Sequence, residues 1–223
     1  MSVRTRIKIC GLTREADVDA AVEAGADAVG FVLYERSPRH VSVERAAELA
    51  RRLPPFVTPV TLFVNATPAL IASAVAAIPN LLAQFHGDET PADCAAAGRP
   101  FLRAARMAGD FDLLDFAAQF PLAQGLLLDA HVDGYGGGGK VFDWSLIPRN
   151  VRSPVVLSGG LHAGNVIEGI LRVRPWAVDV SSGVESADVA TKGIKDVEAI
   201  RRFCSAVREA DVLVAATAAA TTT

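Results

Sequence analysis

Short runs of apolar, often β-branched residues recur along the chain and alternate with alanine-rich stretches of helical period. The runs are RIKIC, AVGFVL, PVTLFV, LLAQFH, PFLRAAR, GLLLD, PVVLSG and WAVDVS. Between them lie helix-like segments such as READVDAAVEAG, VERAAELARRL, PALIASAVAAI and IKDVEAIRRFCSAVRE. Strand–helix alternation of this kind predicts a parallel sheet. Eight repeats predict a single-domain (β/α)8 TIM barrel; an open doubly wound sheet, which usually has fewer units, is the alternative. The barrel is expected over residues 1–211, followed by a disordered Ala/Thr-rich tail over 212–223.

A barrel of this class places its chemistry at the C-terminal ends of the strands. Alternation along a strand sends Ile7 and Ile9 toward the helices and Lys8 and Cys10 into the barrel. On the fourth run Gln84 and His86 share a face. The sixth run ends in Asp129 after three leucines, and the eighth carries Asp179 and then Ser181. A buried lysine needs a partner; for Lys8 that is Asp179, with a Schiff-base lysine as the rarer alternative. Cys10 reads either as a small buried hydrophobe or as a base or nucleophile. Asp129 reads as a loop cap or as a general acid. An acid and a base on opposite walls suit the isomerisation of a sugar. Arg39, in SPRHV, is a candidate for holding a substrate carboxylate. His86 is either structural or catalytic.

Composition narrows the field. The chain has 223 residues, 51% of them hydrophobic and 21% charged, and a net charge of −3. It can bury a sizeable core and has no basic block for nucleic acid. No apolar run approaches bilayer length, the N-terminus does not read as a signal peptide, and Cys10, Cys94 and Cys204 form no disulfide framework. A soluble cytoplasmic protein is expected. None of the four histidines has metal-ligand spacing, so no metal is expected.

The stretch GYGGGGKVFDW imitates a nucleotide-binding P-loop, but Val141 stands where Ser or Thr must hold Mg²⁺, and Pro148 soon interrupts the segment after it. Gly136, Gly137, Gly138 and Gly139 read better as a lid over the barrel mouth. Phosphate is expected instead at Gly159 and Gly160 in LSGGL and at Ser181, Ser182 and Gly183 in VSSGV, the loops after the last two strands.

Taken together, KICGLT, GADAVGFV, SPRHV, FVN, QFHGDE, LLLDA, GYGGGGKVFDW, LSGGLHAGNV, VDVSSGVES and GIKD resemble the phosphoribosylanthranilate isomerase family of tryptophan biosynthesis. The resemblance covers nearly all of the chain except the tail. It implies a barrel without cofactor, acting on a phosphosugar by an Amadori rearrangement, with no obligatory protein partner. It implies that Cys10 is the general base and Asp129 the general acid. Arg39 would bind the anthranilate carboxylate, the two Gly/Ser loops the phosphate, and His86 would line the substrate site. Three positions depart from the family pattern: Gly138 replaces a common threonine, Phe85 a usual leucine, and ADVATK, residues 187–192, is a longer link. A related histidine-pathway isomerase carries aspartate where this chain has Cys10. Intact Cys10 and Asp129 also argue against a silent phosphosugar-binding barrel.

Overall fold

The computed structural model describes residues 4–130, 141–186 and 192–220. Eight strands form a closed parallel barrel in sequence order: β1 Arg6–Cys10, β2 Ala28–Val32, β3 Thr58–Phe63, β4 Leu82–Phe85, β5 Phe101–Met107, β6 Gly125–Ala130, β7 Val155–Leu157 and β8 Ala177–Val180. Closure is made by β1 against β8, with Lys8 opposite Asp179. The open-sheet alternative is thereby set aside.

The helices are α1 Glu15–Glu23, α2 Val43–Ala50, α3 Pro68–Ala77, α4 Pro91–Ala96, α5 Leu113–Gln119, α6 Val166–Val173 and α7 Val197–Ala220. Their starts reflect local chemistry. Ser42 and Thr67 accept the backbone N–H of Arg45 and Leu70, and Thr90 with Asp93 forms a reciprocal capping box ahead of α4. Among the described residues β6 is succeeded not by an α-helix but by a 3₁₀ turn, Trp144–Leu146. The tail corrects one expectation: α7 continues to Ala220 where disorder was expected from residue 212. Alanine has the highest helix propensity, so a helix already anchored on the barrel extends through these residues.

Two layers make the core. Outward strand residues, among them Ile7, Ile9, Phe31, Phe63 and Phe85, pack under the helices. Phe85 stacks on Phe63 with ring centroids 5.7 Å apart and meets Phe101 edge-on at 5.8 Å. The departure at this position is therefore an outward packing change. Inside the barrel, Leu102, Ala104, Leu127, Val156 and Ala177 form a smaller apolar cluster. Toward the C-terminal ends of the strands the buried polar residues Gln84, Asp129, Ser158 and Asp179 take over. The apolar plug thus lies below a polar mouth at the strands' C-terminal ends.

Candidate active site

Strand alternation brings Lys8 and Cys10 to the inner face of β1. Lys8 Nζ donates to Asp179 Oδ1 at 2.7 Å, and Ser158 Oγ donates to Asp179 Oδ2 at 3.3 Å. Lys8 is thus the ammonium of a buried ion pair: burial pulls its pKa down, but Asp179 and the Cys10 thiol push it up further. Cys10 ends the strand. A Cβ at Gly30 on β2 would stand 2.6 Å from its Sγ, so the glycine in AVGFV is what gives the thiol room. Burial pushes the Cys10 thiol above its ordinary range, and Lys8 and Lys195 pull it partly back. The other two thiols, Cys94 and Cys204, are sealed within the core, and burial pushes both up to about 11.

On the far wall Gln84, His86 and Asp129 form a chain. The Gln84 amide donates to His86 Nδ1 at 3.2 Å, so the ring hydrogen sits on Nε2, which faces Asp129 Oδ2 at 3.1 Å. Asp129 Oδ1 accepts from the Ala130 N–H at 2.9 Å. Gly159 lies against this carboxylate; a Cβ there would stand 2.6 Å from Ala130 N and 3.0 Å from Asp129 Oδ1. The height of His86 is set by a buried carboxylate that sequence reading missed. Glu89 accepts the Asn65 N–H at 2.7 Å and the Gly87 N–H at 2.8 Å, tying the ends of β3 and β4 together. Arg103 donates to the carbonyls of Phe85 and Gly87 from the other side.

Arg39 is buried at the mouth and is already engaged. Its Nε and Nη2 donate to the two oxygens of Glu185 at 2.5 and 3.1 Å. Lys195 Nζ donates to the same carboxylate at 2.9 Å and to Ser181 O at 3.1 Å. Sequence reading singled out Arg39 but neither partner. Both stand in recognised motifs, VES and GIKD, yet loop charges of this kind ordinarily read as solvated.

The two Gly/Ser loops meet as expected of neighbours in the barrel. Gly159 and Gly160 have φ of +79° and +64°, in the left-handed region. Among the described residues their N–H groups donate to nothing, which suits an anion. Asn165 anchors this loop by donating to Gly160 O at 3.0 Å and accepting the His162 N–H at 2.8 Å. Gly183 presses the second loop onto the first: a Cβ there would stand 1.9 Å from Leu161 O. Gly183→Ala must therefore push the loops apart. Inhibition by inorganic phosphate is expected to weaken at least about tenfold, the size of a lost charged hydrogen bond. An unchanged inhibition constant in the folded variant removes this loop from the phosphate site.

Gly136, Gly137, Gly138 and Gly139, with most of the 187–192 link, lie outside the described residues. Among the described residues no three His, Cys, Asp or Glu side chains are placed to hold a metal ion, and no helix is long and apolar enough to cross a membrane.

Comparison with known proteins agrees with this geometry. The family model for N-(5'-phosphoribosyl)anthranilate isomerase matches residues 7–206. The isomerase of Methylibium petroleiphilum is 74% identical over 96% of this chain and 99% of its own length. That of Leptothrix cholodnii is 71% identical over 93% of each. The crystal structure of the Thermotoga maritima isomerase superposes with a TM-score of 0.83 at 40% identity, over 92% of this chain and 99% of that one. A second crystal structure, of an isomerase in complex with reduced 1-(o-carboxyphenylamino)-1-deoxyribulose 5-phosphate, gives 0.80 at 38% over the same shares. With Cys10, Asp129 and the paired glycine loops on one barrel mouth, the chain belongs to the N-(5'-phosphoribosyl)anthranilate isomerase family.

Proposed function

We propose that Cys10 and Asp129 divide the isomerisation of N-(5'-phosphoribosyl)anthranilate between them. The reaction is the Amadori rearrangement of tryptophan biosynthesis, from an aminoaldose to an aminoketose. Asp129 delivers a proton to the ring oxygen of the ribose. The C1–O bond breaks as the anilino nitrogen lone pair forms an iminium. Cys10, as the thiolate once its own proton has passed to solvent, then removes the proton from C2, and the C–H electrons neutralise the iminium to an enolamine, which tautomerises to the ketose. The observation that carries this reading is the His86–Asp129 contact. An Nε2–H aimed at the carboxylate stabilises the charge left there once the proton has gone.

The order of steps is set by charge. Burial makes the thiolate costly in the resting site. The iminium acidifies C2–H and places a positive charge beside the thiol, so the base is favoured only after the acid has acted. Asp129 is made available by the Lys8–Asp179 pairing, because Lys8 is neutralised by a different carboxylate. In this reading the ribose phosphate lies at Gly159, Gly160, Ser181, Ser182 and Gly183, and His86 faces the ribose.

Arg39 holds the anthranilate carboxylate. Glu185 occupies the Nε/Nη2 edge of its guanidinium, and Nη1 has no hydrogen bond among the described residues. One edge therefore remains for a second carboxylate. Arg39→Ala leaves Glu185 paired with Lys195, so the fold is expected to survive. The variant is expected to bind substrate more weakly by about 1.5–3 kcal/mol, seen as a raised KM. Unchanged KM and kcat would take Arg39 out of the site.

A further inference from the structure

Beyond the acid and the base, the barrel mouth holds a second charge cluster, one member of which, Lys195, also helps to lower the pKa of the Cys10 thiol. Arg39, Glu185 and Lys195 are all withdrawn from solvent, with side-chain exposures of 7%, 7% and 0%. Desolvating three ionised groups costs several kcal/mol each unless their hydrogen bonds are well made. Here they are. Glu185 Oε1 accepts from Arg39 Nε and Lys195, and Oε2 accepts from Arg39 Nη2 and the Gly193 N–H. Both oxygens are doubly engaged, so the carboxylate cannot rotate without losing partners.

The arginine stem is confined as well. Gly11, next to the proposed base and at φ +78°, leaves room for it: a Cβ there would stand 2.5 Å from Arg39 Cδ. Gly193, at φ +95°, closes the other side, where a Cβ would stand 2.8 Å from Pro38 O and 3.5 Å from Arg39 Cγ. The guanidinium thus has a committed edge, a held stem and an Nη1 that makes no hydrogen bond among the described residues. Two cations face one carboxylate, which leaves the trio one negative charge short of balance.

We propose that Glu185 and Lys195 are positioning residues that make the site selective for an aryl carboxylate, by fixing the Arg39 fork and leaving that single charge uncompensated. The proposal rests on the assignment of Arg39 to the anthranilate carboxylate. Lys195 also ties this device to the phosphate end of the site, through its hydrogen bonds to Ser181 O and Oγ at 3.1 and 3.3 Å.

Position and charge are addressed with one variant and a second substrate. Burial pulls the pKa of Lys195 down, Glu185 pushes it up, and Arg39 lowers it again. Removing the Glu185 charge takes away what holds the Lys195 proton, so any proton loss there acts against the change in net charge. The aniline, which has no carboxylate, serves as the control for what remains of the charge effect.

The test uses two substrates: N-(5'-phosphoribosyl)anthranilate, and the matching phosphoribosyl aniline without a carboxylate. The quantity read is the ratio of their kcat/KM values in the parent, Glu185→Gln, Lys195→Met and Arg39→Ala. For Glu185→Gln, KM for the anthranilate is expected to rise about tenfold or more, the scale of a lost charged hydrogen bond. KM for the aniline is expected to stay near that of the parent, and any change in kcat is expected to be shared by the two substrates, since Lys195 acts on Cys10 alike with either one bound. The ratio then falls toward that of Arg39→Ala. A parent-like ratio in folded Glu185→Gln, with the ratio lost in Arg39→Ala, keeps the anchor and overturns the positioning role. A parent-like ratio in Arg39→Ala overturns the carboxylate assignment itself. If Glu185→Gln fails to fold, Lys195→Met carries the test, since it releases one partner of Glu185 Oε1 and removes the excess charge. An unchanged ratio in that variant rejects the proposal.

Discussion

Cys10→Ser is expected to lower kcat by at least about 10²-fold, and by up to about 10⁴-fold, while the barrel stays folded. Serine keeps the shape of the side chain in the gap that Gly30 leaves. It also keeps the neighbouring Lys8–Asp179 pair, so circular dichroism and affinity for a product analogue should match the parent. The loss is in basicity, since a hydroxyl gives up its proton far less readily than a thiol. The competing view is that Cys10 only fills the barrel mouth. Near-normal turnover in a folded Cys10→Ser protein would establish that view and remove the base.

Asp129→Asn should be impaired on the same scale for a different reason. The amide cannot deliver a proton to the ring oxygen, and ring opening is the first barrier. Steric fit is preserved, and the surroundings can absorb the change. In the parent both carboxylate oxygens accept, from His86 and from the Ala130 N–H. An amide NH₂ turned toward His86 needs an acceptor at Nε2, which moves the ring hydrogen to Nδ1. Gln84 can receive it, because its buried Oε1 has no other partner among the described residues, and turning the amide presents that oxygen. The variant is therefore expected to bind a product analogue with little loss while kcat falls by about 10²–10⁴-fold. If binding and turnover fall together by the same factor, Asp129 is holding the substrate rather than acting on it.

Much of this site was legible because strand alternation has a period of two. Reading Ile7 and Ile9 outward forces Lys8 and Cys10 inward, and the register of β1 on β8 then makes Asp179 the partner of Lys8. The same rule put Gln84 and His86 on one face, where their hydrogen bond is found. Loops obey no such period. Glu89, Glu185 and Lys195 are charged residues in connecting segments, where solvation is the ordinary expectation. Their burial depends on which loops pack together at the mouth, which no local pattern records. Helices α4 and α5 carry a weaker sequence signal for another reason: at six and seven residues they complete too few turns to display a 3.6-residue period. The continuation of α7 to Ala220 was misread because low complexity resembles disorder, although the composition is strongly helix-forming.

Closure of the barrel has a consequence for how the protein is made. Synthesis runs from the N-terminus, and domains in general fold as units during or after it. Strand β1 emerges first, carrying Cys10 and an unpaired Lys8, and waits for β8 to supply Asp179 some 171 residues later. A second clasp comes later still, when Asp211 on α7 accepts the backbone N–H and hydroxyl of Thr5, 206 residues back. Until β8 pairs with β1 the nascent sheet has two open edges, each able to pair with a strand of another chain. A message cut short before β8 therefore yields a polypeptide with nearly all of its strands, a Lys8 without its carboxylate beside Cys10, and an exposed seam. A complete barrel mouth and resistance to aggregation are acquired together, when β8 pairs with β1.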